Sequence, residues 1–360
     1  MEENKSLVVV KDKNKSKKIY INVAIILIIF VALIIYMIKV DGIDNILNLL
    51  KNSDYRWVMV GFLCIVIYWI CEAICLHIPL KKSFSDQSFF DTFRISMIGQ
   101  LFNNITPFSS GGQPIQAYEM SKEGKKMSDV MSILAMKFVI SQTMLVLFTA
   151  VVLLFEFNYF MSLLSNFLVL AIAGFAVNVG VILFIFLIGI NKKLAFLILK
   201  PVYIVLGKLK IFKNVDEKLE ELKVSIDSFN EKFKLMKSQK LVVLKMSVIS
   251  LIQYIVYYYI TYAVYRAFGN SGVSVFNIIP AQAFLLMIMA FTPVPGAGIG
   301  AEGGFALLFN KIFQNGTLNM SILFWRVYTF YLPIIVGSLF MIPFNKLFGK
   351  SRKYKKTKVD

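Results

Sequence analysis

Histidine and cysteine are scarce in this chain, which has one histidine and three cysteines among its 360 residues. Cys64, Cys71 and Cys75 share one apolar run at helical spacing, and His77 is not one helical turn from any of them. A zinc-type ligand set and histidine-based acid–base catalysis are therefore poor fits. The sequence has no Walker loop and no nucleophile elbow, so ATP-driven pumping is unsupported. We expect no metal, no cofactor and no catalytic residue in this chain.

Acidic residues are also few, with 21 Asp and Glu against 39 Lys and Arg, for a net charge of +18. Hydrophobic residues make up 58% of the chain, which predicts an all-α polytopic membrane protein. The basic residues fall at the ends of apolar runs and in both terminal segments, where the positive-inside rule places them. We therefore expect anionic lipids at the cytoplasmic face as partners, and no nucleic acid bound by this chain alone.

Six apolar runs are long enough to cross a bilayer. The first is too long for the core of a signal peptide and lacks a small-residue cleavage site, so we expect it to remain as an anchor. The predicted spans are 19–38, 57–80, 130–155, 163–190, 241–268 and 318–344. The predicted organisation is a basic cytoplasmic segment at 1–18, one membrane domain at 19–345 with a cytoplasmic amphipathic insert at 191–240, and a basic cytoplasmic tail at 346–360.

Loop charges predict the orientation of the spans. The loops at 156–162 and 269–275 carry no basic residue and are expected outside, whereas both termini are expected in the cytoplasm of a plasma-membrane protein. This orientation is consistent with the number of spans only if two segments enter and leave the membrane on the same side. They are 86–120, on the cytoplasmic side, and 276–316, on the outer side. The predicted fold is thus about six full transmembrane helices plus two re-entrant helical hairpins in inverted orientation. A less favoured alternative makes the hairpins full crossings.

Two stretches rich in glycine and proline interrupt the apolar pattern: NNITPFSSGGQPIQAYE (103–119) and FTPVPGAGIGAEGG (291–304). Each contains Thr-Pro followed by glycines, which is weak internal symmetry of the kind found in transporters. A new helix is expected after each break, and a helix N-terminus offers N–H groups and partial positive charge to an anion such as a phosphate. The alternative is that these residues serve only close helix packing.

Ionisable residues inside the predicted membrane region are functional candidates. Glu302 follows the second break and Arg326 lies in the last span, so the two are expected to pair, either for a lipid head group or as a static structural pair. Glu72, Lys137 and Gln142 lie in other spans, and pairing or snorkelling would also explain them. The candidate head-group site comprises Asn103, Asn104, Thr106, Pro107, Gly111, Gly112, Gln113, Pro114, Glu119, Thr292, Pro293, Pro295, Gly296, Gly298, Glu302 and Arg326.

Three segments carry a family resemblance: NNITPFSSGGQPIQAYEM, TPVPGAGIGAEGGF and WRVYTFYLPIIVG. They resemble the membrane region of the lysylphosphatidylglycerol synthase/flippase family, which is the membrane half of the multiple peptide resistance factor. The resemblance covers about 19–345 and implies movement of aminoacylated phosphatidylglycerol between leaflets, with a separate cytosolic domain making that lipid. The positions that it implies are Asn104, Pro107, Gly111, Gly112, Pro114, Pro295, Gly296, Gly298, Glu302 and Arg326.

The chain departs from this family in two respects. The tail at 346–360 has no room for an acyltransferase domain, so we expect no lipid synthesis by this chain. Lys137 and Gln142 replace a more acidic pattern expected in relatives, which leaves the head-group charge open.

The leading hypothesis is a phospholipid flippase. Alternatives are the membrane subunit of a phosphatidylglycerol lysyltransferase with a separate lipid-modifying enzyme as partner, a polyprenyl-phosphate transporter, or a membrane scaffold. A homo-oligomer is compatible with each.

Overall fold

A computed structural model describes residues 42–155, 168–208, 214–289, 294–313 and 317–341, together with residues 35 and 39. Most of the predicted span at 19–38 lies outside the described residues. So do the terminal segments at 1–18 and 346–360, the loop at 156–162, and two predicted site residues, Thr292 and Pro293.

The regular structure of the described residues is helical, with no strand. The first seven helices are α1 (Ile43–Asn52), α2 (Tyr55–Ser83), α3 (Phe89–Ile105), α4 (Gly112–Lys122), α5 (Met127–Phe155), α6 (Leu168–Ile190) and α7 (Lys192–Lys208). They are followed by α8 (Val215–Ser238), α9 (Lys240–Ala267), α10 (Val275–Met289), α11 (Gly298–Phe309), α12 (Leu318–Arg326) and α13 (Leu332–Phe340). A short π-helical turn, Val327–Tyr331, joins α12 to α13.

Four helical segments are long and apolar enough to cross a membrane: α2, most of α5, α9, and α12 with α13 as one continuous span. They are 23 to 29 residues long, whereas about 20 residues cross the hydrocarbon core. They coincide with the predicted spans at 57–80, 130–155, 241–268 and 318–344. The protein is therefore a multi-pass helical membrane protein.

The predicted span at 163–190 corresponds to α6, which bends by 104° into α7. Asn191 lies at this bend, and its side-chain oxygen accepts hydrogen bonds from the backbone N–H groups of Lys193 and Leu194, which starts the new helix. The two helices together count as one further candidate span. The predicted insert at 191–240 is thus a pair of helices, and α8 buries Phe233 and Met236 among α5, α6 and α9.

Two broken units stand beside the long helices. In each, two short helices pack against each other and are joined through a 3-10 turn: Pro107–Ser109, the first turn, between α3 and α4, and Pro295–Ala297, the second turn, between α10 and α11. The four helices have 17, 11, 15 and 12 residues, so each is about 16–26 Å long, which is less than the hydrocarbon core.

The tips of the two broken units contact each other. The first turn contacts the second turn, and α3 also lies against the second turn. The α13 helix packs closely on α3, because a Cβ atom at Gly337 would lie 2.6 Å from the carbonyl oxygen of Met97. The fold therefore brings both glycine- and proline-rich breaks to one place, although Pro107 and Pro295 are 188 positions apart.

Candidate functional site

A cavity of about 560 Å³ lies where the two broken units meet α2, α5, α6, α9 and the last span. This volume is in the range of small-molecule and cofactor sites. Of the predicted site residues, the cavity brings together five: Asn103, Asn104, Gln113, Gly296 and Arg326. Eight other described candidates do not line it: Thr106, Pro107, Gly111, Gly112, Pro114, Glu119, Gly298 and Glu302.

The first break is closed by side chains of the helix that precedes it. The Thr106 hydroxyl donates to the carbonyl of Phe102 (2.6 Å) and accepts from the N–H of Gly111 (2.9 Å). The Asn103 side-chain oxygen accepts from the N–H of Gly112 (2.9 Å). Two of the N–H groups that the sequence analysis assigned to an anionic ligand are therefore occupied, and Pro114 has none to offer.

The glycines of the first break are needed for these contacts. A Cβ atom at Gly112 would lie 2.2 Å from the Asn103 side-chain oxygen, and one at Gly111 would lie 2.6 Å from Thr106 Cγ2. Any larger residue would displace the two capping side chains. At Gly111 and Gly112 the missing Cβ therefore allows close approach of the protein's own side chains to the backbone.

Strained backbone marks both turns. Phe108 and Ser109 have φ of 54° and 50°, and Ala297 beside Gly296 has φ of 55°. These three are the non-glycine residues with positive φ in the described part of the chain. Such conformations cost about 1–3 kcal/mol each and concentrate at functional sites. Phe108, Ser109 and Ala297 all line the cavity, so the strain lies on its wall.

Arg326 holds the second break in place. Its Nη1 donates to the carbonyl oxygen of Gly296 (2.7 Å), and its Nε donates to Glu302 Oε1 (3.3 Å). The guanidinium also lies over the Phe330 ring, 4.7 Å from the ring centre. The predicted pairing of Glu302 with Arg326 is thus present: Arg326 is 5% exposed and faces the cavity, whereas the Glu302 side chain is 37% exposed.

A guanidinium has five N–H donors in a planar fork. Arg326 uses Nε and Nη1 for Glu302 and Gly296, and among the described residues none accepts a hydrogen bond from Nη2, whose N–H groups can meet an anion. Arginine in this setting favours the oxygen atoms of a phosphate, which it can bind through two parallel hydrogen bonds. The cavity therefore has one cationic group suited to a phosphodiester at the junction of the two breaks.

A second ion pair forms the opposite part of the wall. Lys137 of α5 donates to Glu72 Oε1 of α2, and Gln253 of α9 donates to Glu72 Oε2 (2.9 Å). The sequence analysis singled out Glu72 and Lys137 as intramembrane charges but did not place them in the site. Their common signal was a charge in the middle of an apolar run. Their proximity could not be read from the sequence, because 65 residues separate them.

Glu119 occupies a different environment from the cavity. Its carboxylate accepts from Arg94 (3.3 Å) and from Lys122 (2.8 Å), and Glu123 next to it pairs with Arg94 and Lys125. This network ties α4 to α3 where the basic segment at 121–126 begins. The structure thus assigns Glu119 to a helix–helix connection.

Carboxamide side chains dominate the polar part of the cavity wall. They come from five helices and are Gln100, Asn103, Asn104, Gln113, Gln116, Gln142, Asn178 and Gln253. Three tyrosines, Tyr68, Tyr254 and Tyr257, complete the polar lining together with Ser109, Ser141 and Thr329. A carboxamide both donates and accepts hydrogen bonds, so this wall can bind hydroxyl groups as well as phosphate oxygens.

Comparisons with known proteins agree with the architecture. A family model described as "Lysylphosphatidylglycerol synthase TM region" matches residues 21–337. A "UPF0104 membrane protein" from the archaeon Archaeoglobus fulgidus is 22% identical over 315 residues, which cover 81% of this chain and 88% of that relative. Both broken units and the Arg326 segment lie inside the matched region.

Proposed function

This chain belongs to the lysylphosphatidylglycerol synthase TM-region family, and from this premise we propose that it translocates a phospholipid between the leaflets of the membrane. A multi-pass membrane protein of this family has a lipid-related role, and the specific activity proposed is that of a flippase. The expected substrate is a glycerophospholipid whose phosphate enters the cavity while its acyl chains remain in the bilayer.

The placement of Arg326 carries this proposal. A cation that is 5% exposed and faces a polar cavity is costly to keep in a membrane protein unless it binds an anion or has a partner. Glu302 neutralises it from the side of α11, and the Nη2 donors, which have no partner among the described residues, would bind a lipid phosphate. Head groups are the anions that a bilayer itself supplies at high local concentration.

The paired breaks supply a means of alternating access. We propose six full spans and two re-entrant hairpins in inverted orientation, with both termini in the cytoplasm and the protein in the plasma membrane. The broken units α3–α4 and α10–α11 would rock against the long helices and open the cavity to one leaflet at a time. A cysteine placed at position 124 should then react with a membrane-impermeant maleimide only from the cytoplasmic side, and labelling from outside would contradict this topology.

Reconstitution into liposomes tests the function directly. Protein is inserted with fluorescent phosphatidylglycerol, and a membrane-impermeant quencher reports the fraction of lipid that reaches the outer leaflet. The assay is run with and without an imposed proton or sodium gradient, so that both gradient-driven and gradient-independent movement are detected. Wild-type protein should accelerate lipid movement over empty liposomes.

Two arginine variants make the assay specific. Arg326→Ala should abolish movement, since it removes the phosphate-binding group. Arg266→Ala is the matched control, because Arg266 lies over the Trp57 ring outside the cavity and should leave movement unchanged. Folding of each variant is checked by size-exclusion chromatography. Wild-type protein that moves no phospholipid under any gradient would overturn the proposed function.

A further inference from the structure

The charges that line the cavity restrict the kind of head group it accepts. Among its described lining residues, two are cationic, Lys137 and Arg326, and one is anionic, Glu72. Glu302 pairs with Arg326 from outside the lining, so these four ion-paired groups together carry no net charge. The charged groups that face the cavity are nonetheless two cations and one carboxylate, so a positively charged head group would lie close to like charge, whereas a phosphodiester would lie close to opposite charge.

The one lining carboxylate is already engaged. Both oxygens of Glu72 accept hydrogen bonds, Oε1 from Lys137 and Oε2 from Gln253. Glu302, the nearby acid, does not line the cavity and is bonded to Arg326. An ammonium group such as that of a lysyl ester would have to break one of these pairs to find an anionic partner.

Hydroxyl groups, by contrast, match the carboxamide wall. Gln142 Oε1 is a buried acceptor that receives no hydrogen bond from the described residues. Gln116 is 4% exposed and lines the same cavity. A hydroxyl can donate to an acceptor such as Gln142 Oε1 and accept from the N–H groups of a neighbouring carboxamide, so a polyol can bond to several of these residues at once.

We propose that the cavity selects an uncharged polyol, either glycerol or a sugar-like ring, joined to lipid through a single phosphodiester. The phosphate lies at Arg326 and the hydroxyls bond to the carboxamides, with Gln142 as an acceptor. This proposal rests on the proposed function for its lipid context and departs from an aminoacylated head group. It names Gln142 as a residue that determines head-group specificity.

Four lipids separate the contributions of phosphate, hydroxyl and ammonium groups. Purified protein is titrated in nanodiscs of phosphatidylcholine with phosphatidylglycerol, phosphatidylinositol, phosphatidylethanol or lysylphosphatidylglycerol, and binding is measured by native mass spectrometry. Phosphatidylethanol has the same phosphodiester as phosphatidylglycerol but no hydroxyl. Phosphatidylglycerol tests glycerol and phosphatidylinositol tests a cyclic polyol. Phosphatidylglycerol or phosphatidylinositol should bind at least about tenfold more tightly than either phosphatidylethanol or lysylphosphatidylglycerol, because the mismatched lipids leave buried polar groups unpaired.

Variants at Gln142 test the assignment of the acceptor. Gln142→Met keeps the side-chain length but removes the acceptor, so it should abolish the preference for polyol over phosphatidylethanol while phosphatidylethanol binding stays unchanged. Gln142→Glu adds an acid to the cavity and should shift the preference toward lysylphosphatidylglycerol. Gln239→Met is the matched control, since Gln239 lies at the junction of α8 and α9 outside the cavity, and it should behave as wild type.

Two results with folded wild-type protein would overturn this proposal. In the first, phosphatidylethanol or lysylphosphatidylglycerol binds as tightly as both polyol lipids. In the second, none of the four lipids shows saturable binding. The measurement requires no lipid movement. Protein that binds as expected but translocates nothing would therefore refute the proposed function and leave the head-group assignment standing.

Discussion

The two breaks look alike in sequence but are held in different ways. The first break is closed by its own preceding helix, through the uncharged side chains of Thr106 and Asn103. The second is held by Arg326, which bonds to Gly296 from a helix 30 positions further along the chain. The first break is therefore a local structure, whereas the second depends on the last span. The comparison predicts that changes in the last span disturb the second break more than the first.

The largest effect is expected at the Arg326 pair. Arg326→Ala leaves Glu302 and the Gly296 carbonyl without their donor, and should lower the free energy of unfolding by about 3 kcal/mol, the low end for a broken buried pair because Glu302 is partly exposed. Stability is measured by denaturant titration in detergent.

The double variant Glu302→Gln, Arg326→Ala separates structure from function. If the pair only stabilises the second break, the double variant should recover both stability and lipid movement. We expect stability to recover in part and movement to stay absent, because the phosphate-binding group is gone. Restored movement in a stable double variant would contradict a role of this pair in binding substrate.

A smaller effect is expected for Gly296→Ala. Gly296 has φ of 60°, and a Cβ atom there would lie 2.1 Å from Phe330 Cε2. The variant should lose about 2 kcal/mol of stability through left-handed strain and overpacking. Gly303→Ala is the matched control, because a Cβ atom at Gly303 meets nothing within 4 Å. Equal thermal stability of the two variants would show that the second break tolerates repacking against the last span.

The smallest effect is expected at the first break. Thr106→Val keeps the shape of the side chain but removes the acceptor of the Gly111 N–H, and should cost about 1 kcal/mol, as loss of a helix cap does. Thr143→Val is a useful comparison, since the Thr143 hydroxyl only bonds back to its own helix. If Thr106→Val lowered the free energy of unfolding as much as Arg326→Ala does, the first break would not be a local structure.

Much of the fold could be predicted from the sequence. Long apolar runs fixed four of the spans, because the length and apolarity that cross a bilayer are properties of a single segment. The two breaks were also predictable, since Thr-Pro followed by several glycines disfavours a continuous helix. The family resemblance was confirmed by the match over residues 21–337. The predicted boundary between the span at 163–190 and the insert at 191–240 coincides with the bend, but its angle of 104° was not predicted, because polar residues mark the end of an apolar run without giving the direction of the next helix.

The site was predictable only in part. Arg326 and Glu302 were found because charges inside apolar runs are rare and costly. The capping of Gly112 by Asn103 was missed, because helix N-terminal N–H groups look free until the preceding helix is placed beside them. The Glu72–Lys137–Gln253 cluster was likewise missed, since its members come from three helices.

The sequence by itself determined where helices run, where they break, and which charges a membrane would have to bury, because each follows from local composition and the cost of exposing polar groups to lipid. Only the tertiary structure decided which of those groups meet. In the folded protein the two turns contact each other, and Arg326 bonds to the second of them. Both oxygens of Glu72 accept hydrogen bonds, and eight carboxamide side chains line one cavity. Side-chain partners in a helical membrane protein depend on how helices pack, and hydrophobic pattern alone does not specify the rotation of one helix against another.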